Sequence, residues 1–138
     1  LVNLFTNCEV QKDNSVELST GYVDVDLTQL LPGSKVDDDG YLCQGEKKYD
    51  LTGAKLTLEI DRDKVQISDD TTIGQIEGTV STSIYKGDHY GIIVETEDDE
   101  TFVLDTEYEY NVKDKVSIIL PKEDIKIRLK GDISDYEI

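Results

Sequence analysis

The fold is decided by the stretch Gln75-Ile76-Glu77-Gly78-Thr79-Val80-Ser81-Thr82-Ser83-Ile84-Tyr85. Its apolar residues recur at even spacing, and small or β-branched residues fill the positions between them. A period of two is typical of a strand with one buried face, and β-branched side chains fit a pleated surface. The stretch therefore predicts a β-strand, and very little of the rest of the chain has a helical period over a useful length.

The residues that follow predict two more strands. Residues 86–89 have turn chemistry, residues 90–96 resume the extended pattern, and the charged turn at Asp98-Asp99-Glu100 leads into residues 101–105. Extended segments joined by short polar turns indicate antiparallel hairpins. We therefore expect a three-stranded meander.

An internal repeat extends this pattern to the whole chain. Residues 55–67 match residues 115–127 in polarity at nearly every position, at an offset of 60 residues. Each copy contains an apolar strand, a charged corner and a second alternating strand, and Pro121 lies where the second copy leaves its first strand. The repeat predicts two related β subdomains, over residues 1–70 and 71–138. Half-buried strands are expected within residues 14–19 and 21–27, and the only helical piece is expected at residues 1–5.

Charge excludes one class of partner. The chain carries 31 acidic and 14 basic residues, a formal charge of −17, so its surface repels phosphate backbones. We therefore expect no nucleic-acid partner. The chain also contains no Met, so Leu1 is not an initiator position and we expect the chain to come from a longer polypeptide.

Catalytic and cofactor signals are missing from the sequence. His89 is the single histidine, and its position in a turn favours a loop imidazole, solvated or bonded to a neighbouring carboxylate. Metal-ligand spacings and glycine-rich phosphate loops are both lacking, so we expect no catalytic residue, metal or cofactor here. Cys8 and Cys43 do not have the spacing of a zinc or redox site, and we expect them to be reduced.

One hairpin is the candidate ligand or interface site. Tyr85, Asp88, His89 and Tyr90 lie together at its predicted turn. Tyrosine faces beside carboxylates can hold an ammonium group by cation–π and charge-assisted contacts, although tyrosines in such places are often simple cross-strand pairs.

Residues 77–90, 92–94 and 120–125 resemble the transport-associated OB (TOBE) domain of spermidine/putrescine-type ABC importer ATPases. In that family a Tyr-x-Gly-x-x-Tyr-like hairpin precedes a Pro-Glu-Asp-like corner. Tyr85, Gly87, Tyr90 and Pro121 stand at those places, with Lys122 inserted before the acidic pair. Residues 2–8 also resemble the family's segment that leaves the nucleotide-binding domain, with Asn7 in place of a glycine.

The resemblance implies an all-β, OB-like barrel architecture with a regulatory and dimerising role at the C-terminal end of an ATPase subunit. It implies a cytoplasmic protein at the inner face of the cell membrane, and a parent ATPase for polyamine uptake. ATP and magnesium would be bound only by the nucleotide-binding domain upstream. The implied partners are the same domain of a second subunit, the nucleotide-binding domain, a transmembrane permease and, through the acidic surface, a polyamine.

A different class of function also fits the residues. A free-standing acidic β module could bind a protein or carbohydrate outside the cell. A disulfide between Cys8 and Cys43 would favour that alternative.

Overall fold

The computed structural model describes residues 2–18, 21–97 and 100–138, and these ranges are nearly all β. No α-helix forms within them, and three short 3-10 turns cover Leu27–Leu30, Lys122–Asp124 and Ile133–Tyr136. The strands are β1 (Val2–Val10), β2 (Ser15–Leu18), β3 (Gly21–Asp24), β4 (Lys35–Val36), β5 (Leu42–Gln44), β6 (Lys47–Tyr49), β7 (Lys55–Asp61), β8 (Gln66–Ser68), β9 (Ile76–Tyr85), β10 (Tyr90–Glu95), β11 (Thr101–Thr106), β12 (Lys115–Ile119) and β13 (Lys126–Leu129). The all-β prediction is confirmed.

Two five-stranded antiparallel sheets have the same internal order. The first sheet runs β13-β7-β1-β2-β3, and the second runs β8-β12-β9-β10-β11. Each sheet thus consists of a three-stranded meander, the first strand of one repeat copy (β7 or β12) and one short edge strand. The prediction of two related β subdomains is confirmed, and so is the meander of β9, β10 and β11. The predicted turn at residues 98–100 lies largely outside the described residues.

The short edge strands are exchanged between the halves of the chain. Strand β8 leaves the first half and pairs with β12, whereas β13 leaves the second half and pairs with β7. The registers correspond, because Ile67 lies opposite Ile118 and Ile127 lies opposite Leu58, and the members of each equivalent pair are 60 residues apart. The repeat found in the sequence is therefore also a repeat in strand pairing.

The exchange of β8 and β13 affects the predicted subdomain boundary at residue 70. Each sheet takes four strands from one half and its last strand from the other. The boundaries 1–70 and 71–138 describe the repeat along the chain and stay a prediction for the folding units.

The hydrophobic core follows the inward positions of the exchanged strands and of the strands that receive them. Leu56, Leu58 and Ile60 on β7 are at most 2% exposed, as are Ile118 on β12 and Leu120 just after it. Burying a side chain of this size stabilises the fold by about 1.5–3 kcal/mol relative to leaving it in water. The apolar residues of the alternating pattern in both repeat copies are thus the residues that the core buries.

Primary amides cover the sheet edges. The Gln29 side chain donates to the Ile125 carbonyl at 2.8 Å and accepts from the Ile127 amide at 3.1 Å, along the free edge of β13. Asn3 likewise donates to the Val103 carbonyl at 2.7 Å and accepts from its amide at 2.8 Å, which ties β1 to the edge of β11. A side-chain amide can replace a neighbouring strand, so these contacts satisfy groups that would otherwise be free to pair with another chain.

An insertion distinguishes the first half. Strands β4, β5 and β6 form a small sheet between β3 and β7, and the C-terminal segment adds to it through an isolated bridge between Tyr49 and Glu137. The amide of Ile138 also donates to the Lys48 carbonyl at 2.9 Å. The second half joins its equivalent strands by a short polar connection instead.

The prediction of a helical piece at residues 1–5 was wrong for the described residues 2–5. Val2–Val10 form a strand and not a helical turn, because Val2–Phe5 and Cys8–Glu9 pair with β7, and Asn3 and Cys8 are buried. Asn7 lies at a bulge in this strand with a φ of 56°. This left-handed conformation favours glycine and, among other residues, asparagine. This conformation is compatible with Asn7 in the place of a glycine, which stays a prediction.

Strand exchange makes Ile127→Ala a diagnostic substitution. Ile127 is 7% exposed on β13, so its truncation should lower the free energy of unfolding by about 2–4 kcal/mol. Urea unfolding measures that loss, and hydrogen exchange should show the fastest new opening in β7. The exposed Ile84→Ala is the matched control and should change stability by less than about 0.5 kcal/mol. New opening confined to β12 would contradict the observed pairing.

Candidate functional site

The candidate hairpin is formed by β9 and β10. Tyr85 lies opposite Tyr90 at the end of the ladder, and the Lys86 amide donates to the His89 carbonyl at 2.8 Å. Gly87 has a φ of 102°, a conformation that suits glycine and closes the turn. The structure therefore brings the four predicted residues, Tyr85, Asp88, His89 and Tyr90, into one short turn. A ligand or interface role for them stays a prediction.

The two tyrosines form a cross-strand aromatic pair. Their ring centroids are 5.1 Å apart with an interplanar angle of 50°. The Tyr85 hydroxyl donates to the Gly87 carbonyl, so its polar end is engaged within the turn. The Tyr85 side chain is nevertheless 62% exposed, and its ring remains accessible to a ligand or partner.

His89 belongs to an ion network that joins the two halves. Its Nδ1 lies 2.5 Å from Asp88 Oδ1, and its Nε2 lies 3.6 Å from Asp105 Oδ1. The same Asp105 oxygen is 3.1 Å from Nη2 of Arg62, which lies in the link between β7 and β8. The sequence-based prediction of a loop imidazole bonded to a neighbouring carboxylate is confirmed for His89.

Arg62 and Asp105 were missed by sequence reasoning. They are 43 positions apart, and neither belongs to a motif that signals a contact. Asp105 Oδ1 and Arg62 Nε are both buried and make no hydrogen bond among the described residues, although the ion pair itself is short. Their attraction is therefore between charges rather than through an aligned hydrogen bond.

An open pocket lies over this network. It has a volume of about 570 Å³ and is lined by Asp61, Arg62, Asp63, Lys86, His89 and Asp105. Carboxylates and cations alternate around it, and its lining contains no Ser, Thr or Cys side chain. The pocket can therefore hold polar groups of either sign.

A larger open groove lies at the opposite end of β9 and β10. It has a volume of about 670 Å³, and its charged lining consists of Glu77, Glu95, Glu97 and Lys115. Three carboxylates against one ammonium make this end acidic. Over the described ranges, no group of three or more His, Cys, Asp or Glu side chains is placed to hold a metal ion.

Both cysteines are free thiols in separate sheets. Cys8 is buried on β1, where desolvation and the negative charge of Glu100 raise the pKa of its thiol to about 11 against the opposing effect of Lys55. Cys43 on β5 is half-buried, and desolvation and its contact with the Asp37 carboxylate raise its thiol pKa as well. Neither thiol is activated as a nucleophile, and the disulfide that would favour an extracellular module is not formed.

The loop at residues 37–40 is organised by hydrogen bonds to the Asp37 carboxylate. The Asp37 carboxylate accepts from the amides of Tyr41 at 2.9 Å and Asp39 at 3.0 Å, and these bonds lower its pKa.

None of the helical segments in the described part of the chain is long and apolar enough to cross a bilayer.

The fold and this site define an all-β, OB-like protein of two related subdomains with an exposed, tyrosine-bearing hairpin. The solved structure of the cytoplasmic molybdate-binding protein ModG, with molybdate bound, has a similar fold. Its TM-score is 0.57 at 9% identity, and the alignment covers 93% of this chain and 96% of that one. At this identity the likeness concerns the fold alone.

Two curated relatives are similar in sequence. Over 76 residues, 55% of the chain, the sequence is 34% identical to the spermidine/putrescine import ATP-binding protein PotA of Bacteroides thetaiotaomicron. Over 75 residues, 54% of the chain, it is 32% identical to PotA of Bacteroides fragilis. The aligned part is 16% of the length of each relative. No protein-family model matches the sequence.

These likenesses confirm the resemblance noted in the sequence. Just over half of the chain is similar in sequence to part of two spermidine/putrescine import ATP-binding proteins, and nearly all of it has a fold like that of ModG. What those whole proteins bind and move is a property of the relatives.

Thiol labelling at pH 8 should separate the two cysteines. Cys43 should react slowly with a disulfide reagent, because it is partly accessible but its raised pKa leaves little thiolate. Cys8 should react only after unfolding, since it is buried and its pKa is about 11. Two rapid reactions in the native protein would contradict these environments, and no reaction even in denaturant would reveal a disulfide.

Proposed function

We propose that this chain is the C-terminal regulatory and dimerisation domain of the ATPase subunit of an ABC importer for polyamines. The observation that carries the proposal is the 34% identity over 76 residues to a spermidine/putrescine import ATP-binding protein. The likeness of the fold to ModG supports the OB-like architecture that the proposal requires. In this proposal the domain acts through contacts with other domains, and the two open, polar pockets beside β9 and β10 are compatible with that role.

In this proposal the nucleotide-binding function belongs to another part of the parent chain. ATP and magnesium bind to a nucleotide-binding domain upstream of Leu1, and a transmembrane permease carries the substrate. The domain then lies in the cytoplasm at the inner face of the cell membrane, where its partners are the nucleotide-binding domain and the same domain of a second subunit. Its rigid sheets hold their surfaces in place without ordering a loop at each encounter, which lowers the entropic cost of association.

The codons upstream of Leu1 test the assignment directly. They should encode a phosphate-binding loop of the G-x-x-x-x-G-K-[ST] type and the ABC signature. Deleting residues 2–138 from that parent should leave ATP hydrolysis measurable while weakening subunit dimerisation and its regulation. A parent gene without a nucleotide-binding domain would contradict the proposal.

The domain also senses polyamine in this proposal. Its formal charge of −17 attracts a polycation, and the exposed ring of Tyr85 offers a cation–π contact beside Asp88. Isothermal titration with spermidine in 0.15 M NaCl should give saturable heat, and Tyr85→Ala should weaken binding about threefold to tenfold.

Tyr22→Ala is the matched control for this titration. Tyr22 is 57% exposed on β3 in the other sheet, so its loss should leave spermidine affinity unchanged. Absence of saturable heat at physiological salt would end the polyamine-sensing part of the proposal. The assignment to an ABC importer would then still be tested by the sequence of the parent gene.

A further inference from the structure

One edge of the first sheet is formed by β3. Backbone groups along a strand point alternately to its two sides, and the Gln11 amide donates to the Ser15 carbonyl at 2.8 Å on the β1 side of β2. By that alternation β2 bonds β3 through Val23, and the amides and carbonyls of Tyr22 and Asp24 point away from the sheet. In the described part of the chain no neighbouring segment bonds these groups. The edge of β3 is therefore open.

The corresponding edge of the second sheet, on β11, is covered. A buried row of three residues crosses each meander, and each row begins at a residue that bonds the turn before β7 or β12. The rows are Val10, Val16 and Val23 in the first sheet and Val80, Val94 and Phe102 in the second. Asp24 thus corresponds to Val103, whose amide and carbonyl both bond the Asn3 side chain. The Asp105 amide, two residues further on, donates to the Arg62 carbonyl at 3.2 Å.

The second half of the chain has no side chain that closes β3 in the same way. Asn3 lies two residues before the partner of Leu58 in the ladder. Gly74 lies two residues before the partner of Ile118, which is the equivalent of Leu58 in the repeat. A Cβ at Gly74 would lie 2.6 Å from the Ile118 carbonyl oxygen and 2.7 Å from Ser117 Oγ. This close packing requires glycine, so the amide that would cover β3 is missing.

An open pocket of about 570 Å³ lies beside this edge on the outer face of the sheet. Its charged lining consists of Lys12, Asp13 and Asp24, and Glu17 is exposed on the same face of β2. None of these four side chains has an ion-pair partner within the described ranges. Hydrogen bonds from the Ser15 hydroxyl and amide lower the pKa of Asp13, so this carboxylate stays charged at neutral pH. Three carboxylates against one ammonium leave a surplus of negative charge.

We infer that the open edge of β3 binds an extended segment of a partner protein that carries a lysine or arginine opposite Asp24. The segment pairs with the free amides and carbonyls of Tyr22 and Asp24, which is strand addition to a sheet edge. Side chains alternate between the two faces of a strand, so the residue opposite Asp24 extends over the outer face into the pocket. Its cation then lies between the carboxylates of Asp13 and Asp24.

The charges of this face favour a basic segment over a second copy of this chain. A second copy would bring its own Asp24 and Glu17 against the same carboxylates, and like charges on neighbouring strands destabilise a sheet. Glu9, the next residue across the face, is 3.5 Å from the Lys55 ammonium and does not add to the surplus. The edge would be open in any parent protein, so a partner here does not depend on the importer assignment.

Amide hydrogen exchange followed by NMR tests this edge with the peptide acetyl-VKVKVKV-amide in 0.15 M NaCl. In the free chain the amides of Tyr22 and Asp24 should exchange at least about tenfold faster than that of Val103, which is bonded to Asn3. Saturating peptide should slow both amides by about tenfold or more. The same peptide with N-methyl groups on its lysines keeps its charge but loses the donors that face β3, so it should leave both rates unchanged.

Charge reversal at the edge provides the second arm of the test. Asp24→Lys should weaken peptide binding about tenfold, because a carboxylate beside the incoming lysine becomes a cation. Glu109→Lys is the matched control, since Glu109 is exposed between β11 and β12 and its reversal changes the net charge by the same amount. The control should bind the peptide with nearly unchanged affinity.

Three results would overturn the site at β3. They are equal losses of affinity in the two variants, no slowing of exchange at Tyr22 and Asp24, and equal slowing by the N-methylated peptide. The first result would show attraction to the net charge alone. None of them bears on whether the parent gene encodes a nucleotide-binding domain.

Discussion

The structure depends on the reciprocal pairing of β8 with β12 and of β13 with β7. Strands β7 and β12 lie inside their sheets, rather than at an edge, only because a short strand from the other half covers their second edge. Without that strand, the core side chains of β7, such as Leu56 and Leu58, would lie at an open sheet edge. Each half therefore supplies part of the other's core, and the two sheets should fold as one cooperative unit.

This constraint also decides where partners can bind. Edge strands invite pairing with other chains, but here Gln29 covers β13, Asn3 covers part of β11, and the Tyr110 hydroxyl lies 3.5 Å from the Ile67 carbonyl on β8. These three edges are therefore less available for strand addition than β3, which is the remaining edge of the first sheet. The β9–β10 ribbon is the longest element that offers both a sheet face and a hairpin turn, and the link carrying Arg62 fixes it to the first half.

Much of this architecture could be predicted from the sequence. The alternation over residues 75–85 predicts β9, and the repeat at an offset of 60 residues predicts two subdomains whose strand registers correspond. The place of Asn7 at a family glycine agrees with its left-handed backbone, because asparagine tolerates that conformation better than most residues. These features are local, or they are regular enough to be seen as a pattern.

Other features depend on contacts between distant segments, for which a single sequence carries no signal. Alternation in residues 126–129 predicts a strand but not the sheet that receives it. The strand at residues 2–5 could not be predicted, because its pairing with β7 is 50 or more positions away. At the candidate site the turn at residues 85–90 was predictable, whereas Arg62 and Asp105 meet only because β8 crosses to the second sheet.

Native-state hydrogen exchange in low urea tests the reciprocal exchange of strands most directly, because it measures the opening free energy of each sheet separately. The slowest amides of β7 in the first sheet and β12 in the second should open with free energies that agree to within about 1 kcal/mol and fall together as urea is added. If one sheet opened several kcal/mol before the other, the two halves would be independent folding units, and strand exchange would not be the constraint that holds the fold together.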